Sequence, residues 1–345
     1  MEFRPLGRTG ITVSRICLGT MTWGGQNTEA DAHAQIETAL DAGVNFLDTA
    51  EAYSIPPTPH SYGRTETIIG SWLKIPGNRA RVVLASKISG GGQHWVRSGS
   101  RPDRKTIIEA LDDSLRRLNT DYLDLYQIHW PARGHFHFET TWQFRAEAQD
   151  RQDAPAYLTE VLETLDEQVR AGKLRAVGLS NESSWGIMQF LRLAETRGLS
   201  RIASIQNEYS LLRRHFDLDL AEISHHEDVS LLAYSPLAAG VLTGKYLDGA
   251  MPKGSRGDFS GAMWRANRYS DPAVRAYIEL AHRHGLDPAQ MAIAFTLTRP
   301  FVTSVIIGAT TPEQLRTDLA AADITLSEAV LTDIDALHRL HPRPL

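Results

Sequence analysis

Four side chains able to move a proton onto oxygen stand at, or just after, the ends of short apolar runs. Asp48 closes the run in "NFLDT" (45–49), and Tyr53 follows five residues later. Lys87 closes "VVLASK" (82–87), and His129 closes "YLDLYQIH" (122–129). A tyrosine, with an ordinary pKa of about 10, is a poor acid at neutral pH. A neighbouring ammonium favours the phenolate and so lowers that value. An aspartate beside the lysine would hold it in place and keep it charged, because an unpaired charge away from water is costly. A histidine across the site can hydrogen-bond a substrate oxygen. Such a set delivers a proton to an oxygen that is becoming an alkoxide. That is half of a carbonyl reduction, and the other half is a hydride donor. Singly, each residue has a plainer reading: the Asp as a cap or turn residue, the Lys as a solvent-facing charge, the His as a structural residue. The chemistry requires a fold that brings all four together.

The rhythm of the chain supplies one. Short runs rich in Val, Ile and Leu recur at 15–19, 45–49, 82–87, 122–129, 174–181, 203–207, 229–235 and 302–308. Continuous apolar runs of this length suit strands buried on both faces, as in parallel sheets. Between them lie segments with helical spacing and end signals. Residues 28–43 open on Thr28 and close on Gly43; 101–120 carry Ile107, Ile108, Leu111, Leu115 and Leu118 on one face; 157–173 end at Gly172; 327–340 open on Ser327. Eight strand–helix units predict a (β/α)8 TIM barrel, one domain over 1–345. A doubly wound sheet is the rival, but no G-x-G-x-x-G follows the first strand. Residues 3–14 predict a hairpin turning at Thr9-Gly10 that closes the bottom of the barrel. Three long connections, 88–101, 130–156 and 236–270, follow strands. In a barrel they lie on the C-terminal face, where active sites are built. Alternation along a strand puts Val83, Ala85 and Lys87 on one face, and Leu123, Leu125, Gln127 and His129 on another.

Composition narrows the class. With 345 residues, 42% hydrophobic and 22% charged, the chain reads as a globular protein. The net charge of −5, with both signs scattered, argues against nucleic acid and membrane as partners. The first residues lack the apolar core of a signal peptide, and a single cysteine, Cys17, reads as a small core residue. A cytoplasmic location is expected. His135 and His137 in "GHFHF" have no acidic or cysteine cluster beside them, so no metal is expected.

The motifs "LDTAEAYS", "ASK", "LYQIHWP", "GLSN", "IQNEYSLL", "AYSPLAAGVLTGKY" and "IIGATTPEQL" run in order along nearly the whole chain. Together they resemble the aldo-keto reductase superfamily, most nearly its Tas-like branch, with kinship to the potassium-channel β-subunit type. The resemblance implies a (β/α)8 barrel binding NADPH in extended form without a Rossmann motif. It implies reduction of aldehydes or ketones, with Tyr53 as general acid, Lys87 lowering its pKa, Asp48 supporting Lys87, and His129 polarising the carbonyl. Ser180, Asn181 and Gln206 resemble the residues that hold the nicotinamide carboxamide, and Tyr234 the aromatic that stacks under the ring. Ser235, Pro236, Leu237, Gly240, Leu242, Thr243 and Lys245 resemble the pyrophosphate loop. Gly308, Thr310, Gln314 and Asp318 fall where the family holds the adenosine end. The family usually has Asn at the place of Asp318, and Arg or Ser at that of Thr310; here Thr310, Thr311 and Arg316 would take the 2′-phosphate. Trp23, Trp95 and Trp130 are expected to wall the substrate pocket. The expected partner is a small-molecule carbonyl, and a homo-oligomer stays open. A second reading is a regulatory subunit that senses redox state by holding NADPH.

Overall fold

A computed structural model describes residues 1–261, 263–342, 344 and 345, with the backbone alone at residue 139. Its elements in chain order are β1 (Phe3–Pro5), β2 (Thr12–Ser14), β3 (Ile16–Gly19), α1 (Glu29–Asp41), β4 (Phe46–Asp48), α2 (Arg64–Leu73) and β5 (Val83–Ile88). Then come α3 (Arg104–Leu118), β6 (Leu125–Ile128), α4 (Asp153–Arg170), β7 (Val177–Ser180), α5 (Ser184–Arg197), β8 (Ile202–Glu208), α6 (Asp219–Glu227) and β9 (Ser230–Tyr234). The chain ends through α7 (Arg256–Ser260), α8 (Ser270–Arg283), α9 (Pro288–Thr298), β10 (Val302–Ile307), α10 (Pro312–Ala320) and α11 (Glu328–Leu340).

Strands β3 to β10 close into a barrel, each hydrogen-bonded in parallel to its sequence neighbours, with β10 against β3. This is the (β/α)8 barrel that the eight apolar runs predict. All eight runs become its strands, with ends shifted by a few residues. The predicted helices are present too. Thr28 caps α1 in a capping box with Asp31, Gly43 follows at φ 83°, Asp103 caps α3 and Ser327 caps α11. The helix foreseen at 157–173 begins earlier, at Asp153. The apolar stripe of α3 (Ile107, Leu111, Leu115, Leu118) is buried on the barrel wall, each side chain contributing about 1.5–3 kcal/mol by leaving water.

The hairpin of β1 and β2 turns where expected, with Gly10 at φ 75° and Leu6 N–H on the carbonyl of Ile11 at 2.8 Å. Leu6, Ile11 and Val13 join Cys17, Phe46, Ala85, Leu125 and Leu232 in one apolar cluster that fills the lower barrel interior. Gly7 must be glycine: its φ is +53°, and a Cβ there would come within 2.6 Å of the Ala203 carbonyl oxygen. Above this plug the interior turns polar. Lys87 stands beside Gln127, and Ser180 beside Gln206, in the strand registers. Among the described residues no helix is long and apolar enough to cross a membrane.

Candidate active site

Lys87, at the upper end of β5, is fully buried. Its ammonium has three N–H donors, and three oxygens surround it. Asp48 Oδ2 on neighbouring β4 lies at 2.5 Å, the Thr49 carbonyl oxygen at 2.8 Å and Tyr53 Oη at 3.4 Å. The second carboxylate oxygen of Asp48 accepts from Gln206 Nε2 at 2.8 Å and from Gln127 Nε2 at 3.3 Å. The aspartate is therefore held from three strands. His129 follows β6, and its ring meets that of Tyr53 edge-on, centroids 5.6 Å apart. The fold thus brings Asp48, Tyr53, Lys87 and His129 to one place.

Electrostatics refine the expectation. Burial pulls Lys87 down, but Asp48 and Tyr53 outweigh it, so its pKa lies above the ordinary value and it stays an ammonium. Burial pushes the Tyr53 phenol up; Lys87 opposes this without reversing it, and the net direction is upward. Lys87 acts in the lowering direction that the residue types predict, but the net shift is upward. Desolvation of the phenolate, with the Asp48 charge added to it, exceeds what the Lys87 cation at 3.4 Å returns. Burial, then the Lys87 charge, hold His129 well below its usual pKa, so it is a neutral imidazole at pH 7. Its Nδ1 has no hydrogen-bond partner among the described residues.

Beside this cluster lie the residues assigned to nicotinamide. Ser180 Oγ donates to the Gln206 carbonyl, Asn181 Nδ2 donates to the His129 carbonyl at 2.9 Å, and Tyr234 Oη donates to Asn181 Oδ1 at 2.7 Å. Asn181, at φ 53°, is bent out of the strand path. After β9 the chain adopts positive φ at Ser235, Ala238, Ala239 and Gly240, at 54°, 48°, 59° and 91°. Non-glycine residues rarely do so. Pro236, Leu237, Leu242 and Thr243 complete this tight turn, and a Cβ at Gly240 would come within 2.9 Å of Lys245 Cε.

At the far end, Gly308 is exposed after β10, and Thr310 N–H and Oγ1 both donate to Gln314 Oε1 at 3.0 Å. Thr311 caps α10, and Arg316 is largely exposed, 3.7 Å from Glu313. Asp318 is buried, and its carboxyl is pushed up to about 7 by burial and by Asp287, against the pull of Lys245.

The three tryptophans part company. Trp130 stands beside His129, ring centroids 4.9 Å apart, and Trp95 is exposed on the 88–101 segment. Trp23 is not an open pocket wall. Its ring is fully buried and its indole N–H donates to Gln35 Oε1 on α1 at 3.0 Å, because an indole sunk in apolar surroundings needs that partner. Two further residues reach the site. Gln127 shares a strand face with His129 by alternation, but nothing in the sequence gives it a role. Arg256 lies in the irregular 236–270 stretch, where no periodicity points to it. It contacts Met21 Sδ at 3.8 Å and forms no ion pair among the described residues, and its charge bears on Tyr53.

The family model described as the aldo/keto reductase family matches residues 15–339. The chain is 46% identical to Protein tas of Escherichia coli (strain K12), across 100% of this chain and 99% of that protein. It is 33% identical to the uncharacterized oxidoreductase YrpG of Bacillus subtilis (strain 168), over 96% and 94% of the two chains. It is 34% identical to an aldo-keto reductase of Babesia bovis, over 75% and 96%.

Proposed function

Because the chain belongs to the aldo/keto reductase family, a family of oxidoreductases, we propose that it uses NADPH to reduce aldehydes or ketones to alcohols, with Tyr53 as the proton donor. The observation that carries the reading is the buried Lys87 ammonium, held by Asp48 and touching the Tyr53 hydroxyl.

The residues present suit a dinucleotide. Backbone N–H groups in tight turns with left-handed residues can hold anions; the turn at Ser235–Gly240 has left-handed residues with Lys245 against it, its Ala238 and Gly240 N–H groups donating to the Ser235 and Leu237 carbonyls. Arg256, a cation without a carboxylate partner among the described residues, suits phosphate chemistry. Ser180, Asn181 and Gln206 would take the carboxamide, and Tyr234 would lie under the ring. Gly308, Thr310, Gln314, Arg316 and Asp318 would take the adenosine end. When bound, NADPH supplies the hydride.

The protein's own residues handle the oxygen. His129, neutral, hydrogen-bonds the substrate carbonyl oxygen and orients it. As negative charge develops there, Tyr53 gives up its hydroxyl proton and becomes a phenolate. Lys87, 3.4 Å away, stabilises that phenolate by about 5 kcal/mol at an effective dielectric of about 20. Asp48 keeps the ammonium in place throughout. A phenol whose pKa lies above its ordinary value is fully protonated at neutral pH and always loaded for this step. Trp130 and Trp95 bound the approach, and such walls favour planar or apolar carbonyls. The test is loss of NADPH absorbance against a panel of aldehydes, ketones and quinones. Turnover of at least one class supports the reading; no turnover and no binding at millimolar NADPH would end it.

A further inference from the structure

Glu51, two residues before Tyr53, is a fully buried carboxylate that the chemistry above leaves unused. Both of its oxygens are engaged. Oε1 accepts from the Ser89 N–H at 2.7 Å and from Arg97 Nη2 at 2.5 Å. Oε2 accepts from Arg97 Nη1 at 2.8 Å and from Tyr62 Oη at 2.5 Å. Its backbone is pinned as well: Glu51 N–H donates to the Lys87 carbonyl at 3.2 Å, and its own carbonyl accepts from Gly63 N–H at 2.7 Å. The two-pronged Arg97 contact is of the strong, directional kind.

Arg97 belongs to the long 88–101 segment, and that segment is tied near its start to the other side of the site. Trp130 Nε1 donates to the Gly91 carbonyl at 3.2 Å. Gly90 packs so closely on Trp130 that a Cβ there would lie 2.1 Å from its carbonyl oxygen. Trp130 follows His129. One surface segment therefore spans from the neighbour of His129 to the neighbour of Tyr53.

Tyr53 is held through its backbone, N–H on the Ala50 carbonyl at 3.1 Å, and through its ring, edge-on to His129; its hydroxyl is held more weakly. Among the described residues its hydroxyl meets only Lys87, at 3.4 Å, the long edge of a hydrogen bond. A shift of a few tenths of an ångström would lose that contact. The position of the hydroxyl thus depends on the backbone of 50–54, which Glu51 anchors through its side chain alongside the main-chain bonds of Tyr53 and Ser54. We propose that Glu51, gripped by Arg97, is a positioning residue that holds the Tyr53 hydroxyl in register with Lys87 and His129, making the 88–101 segment part of the catalytic geometry. This rests on Tyr53 being the proton donor.

The test uses Glu51→Gln, Arg97→Met, Arg97→Lys, Tyr53→Phe and the double variant Tyr53→Phe with Arg97→Met. Each is measured for NADPH Kd and for kcat on one aldehyde. Arg97→Met should lower kcat about 10- to 100-fold, the scale of an ångström misplacement, with Kd nearly unchanged. Arg97→Lys should recover part of the loss. In the Tyr53→Phe background, Arg97→Met should add almost nothing. If Tyr53→Phe turns over like the parent, the proton-donor reading fails and this inference with it. If Tyr53→Phe is impaired but Arg97→Met and Glu51→Gln match the parent, the inference alone is overturned. It is equally overturned if Arg97→Met lowers kcat by the same factor in both backgrounds, since the role is then merely structural. Should Glu51→Gln fail to fold, Arg97→Met, a loop side chain, decides the question by itself.

Discussion

Lys87 Nζ lies 3.4 Å from Tyr53 Oη and 4.9 Å from the centroid of its ring. The cation therefore faces both the hydroxyl and the electron-rich ring of the same tyrosine. Its remaining donors are spent on Asp48 and on the Thr49 carbonyl. Its three donors thus have three protein oxygens, and its charge bears on Tyr53 and on His129.

Removing only the Tyr53 proton isolates its role. Tyr53→Phe keeps the ring and should bind NADPH as the parent does, read by tryptophan fluorescence. Turnover of an aldehyde should fall by roughly 10²–10⁴, the usual worth of a positioned general acid.

Lys87→Met tests the other half of the pair. It leaves the Asp48 carboxylate buried with its cation gone, and breaking a buried ion pair costs about 3–5 kcal/mol. Chemical denaturation should show that loss, while Lys87→Met with Asp48→Asn together should be less destabilised than Lys87→Met alone. The rate of Lys87→Met should also fall. Combining it with Tyr53→Phe should add little to either single effect, because the two residues act as one unit.

Cofactor choice is checked at Arg316. NADPH should bind more tightly than NADH, and Arg316→Ala should narrow the preference a few-fold. The side chain is well exposed and already shared with Glu313 at 3.7 Å, so the change should be about that of a surface ion pair. Equal dissociation constants for both cofactors in the parent would reject the assignment.

Asp318 should make stability depend on pH. Its carboxyl is raised from 3.8 to about 7 by burial, then by Asp287. Between those two values the folded state holds a proton that the unfolded state has released. Through this group, stability is therefore greatest at low pH and declines as pH rises from 3.8 to about 7. Asp318→Asn should flatten that slope and raise Tm relative to the parent at pH 8, with little difference at pH 4. Parallel Tm–pH curves for the two proteins would contradict it.

Much of this molecule is written locally. The eight strands follow from short apolar runs, and the starts of α1 and α11 from Thr28 and Ser327, whose side chains reach backbone N–H groups three residues on. Strand alternation puts Lys87 with Ala85 and Gln127 with His129 on one face of their strands, and closure of the barrel makes those faces inner. Once eight such units close, residues at strand tops have one place to meet, which is why Asp48, Lys87 and His129 are legible as a set.

What closure adds is contact between residues far apart in the chain, and no local pattern encodes it. The Glu51–Arg97 pair spans 46 residues and the Gln206–Asp48 bond 158. Trp23 turns inward because Gln35 meets its indole N–H. The Tyr53 phenol moves up rather than down because its pKa reflects how much water the whole surround removes, with the Asp48 charge added, against one cation whose approach is 3.4 Å. Residue types and spacing determined which groups are present and on which strand each stands. Only the tertiary structure decided their distances and their burial, because both are sums over neighbours that the chain meets only after it has folded.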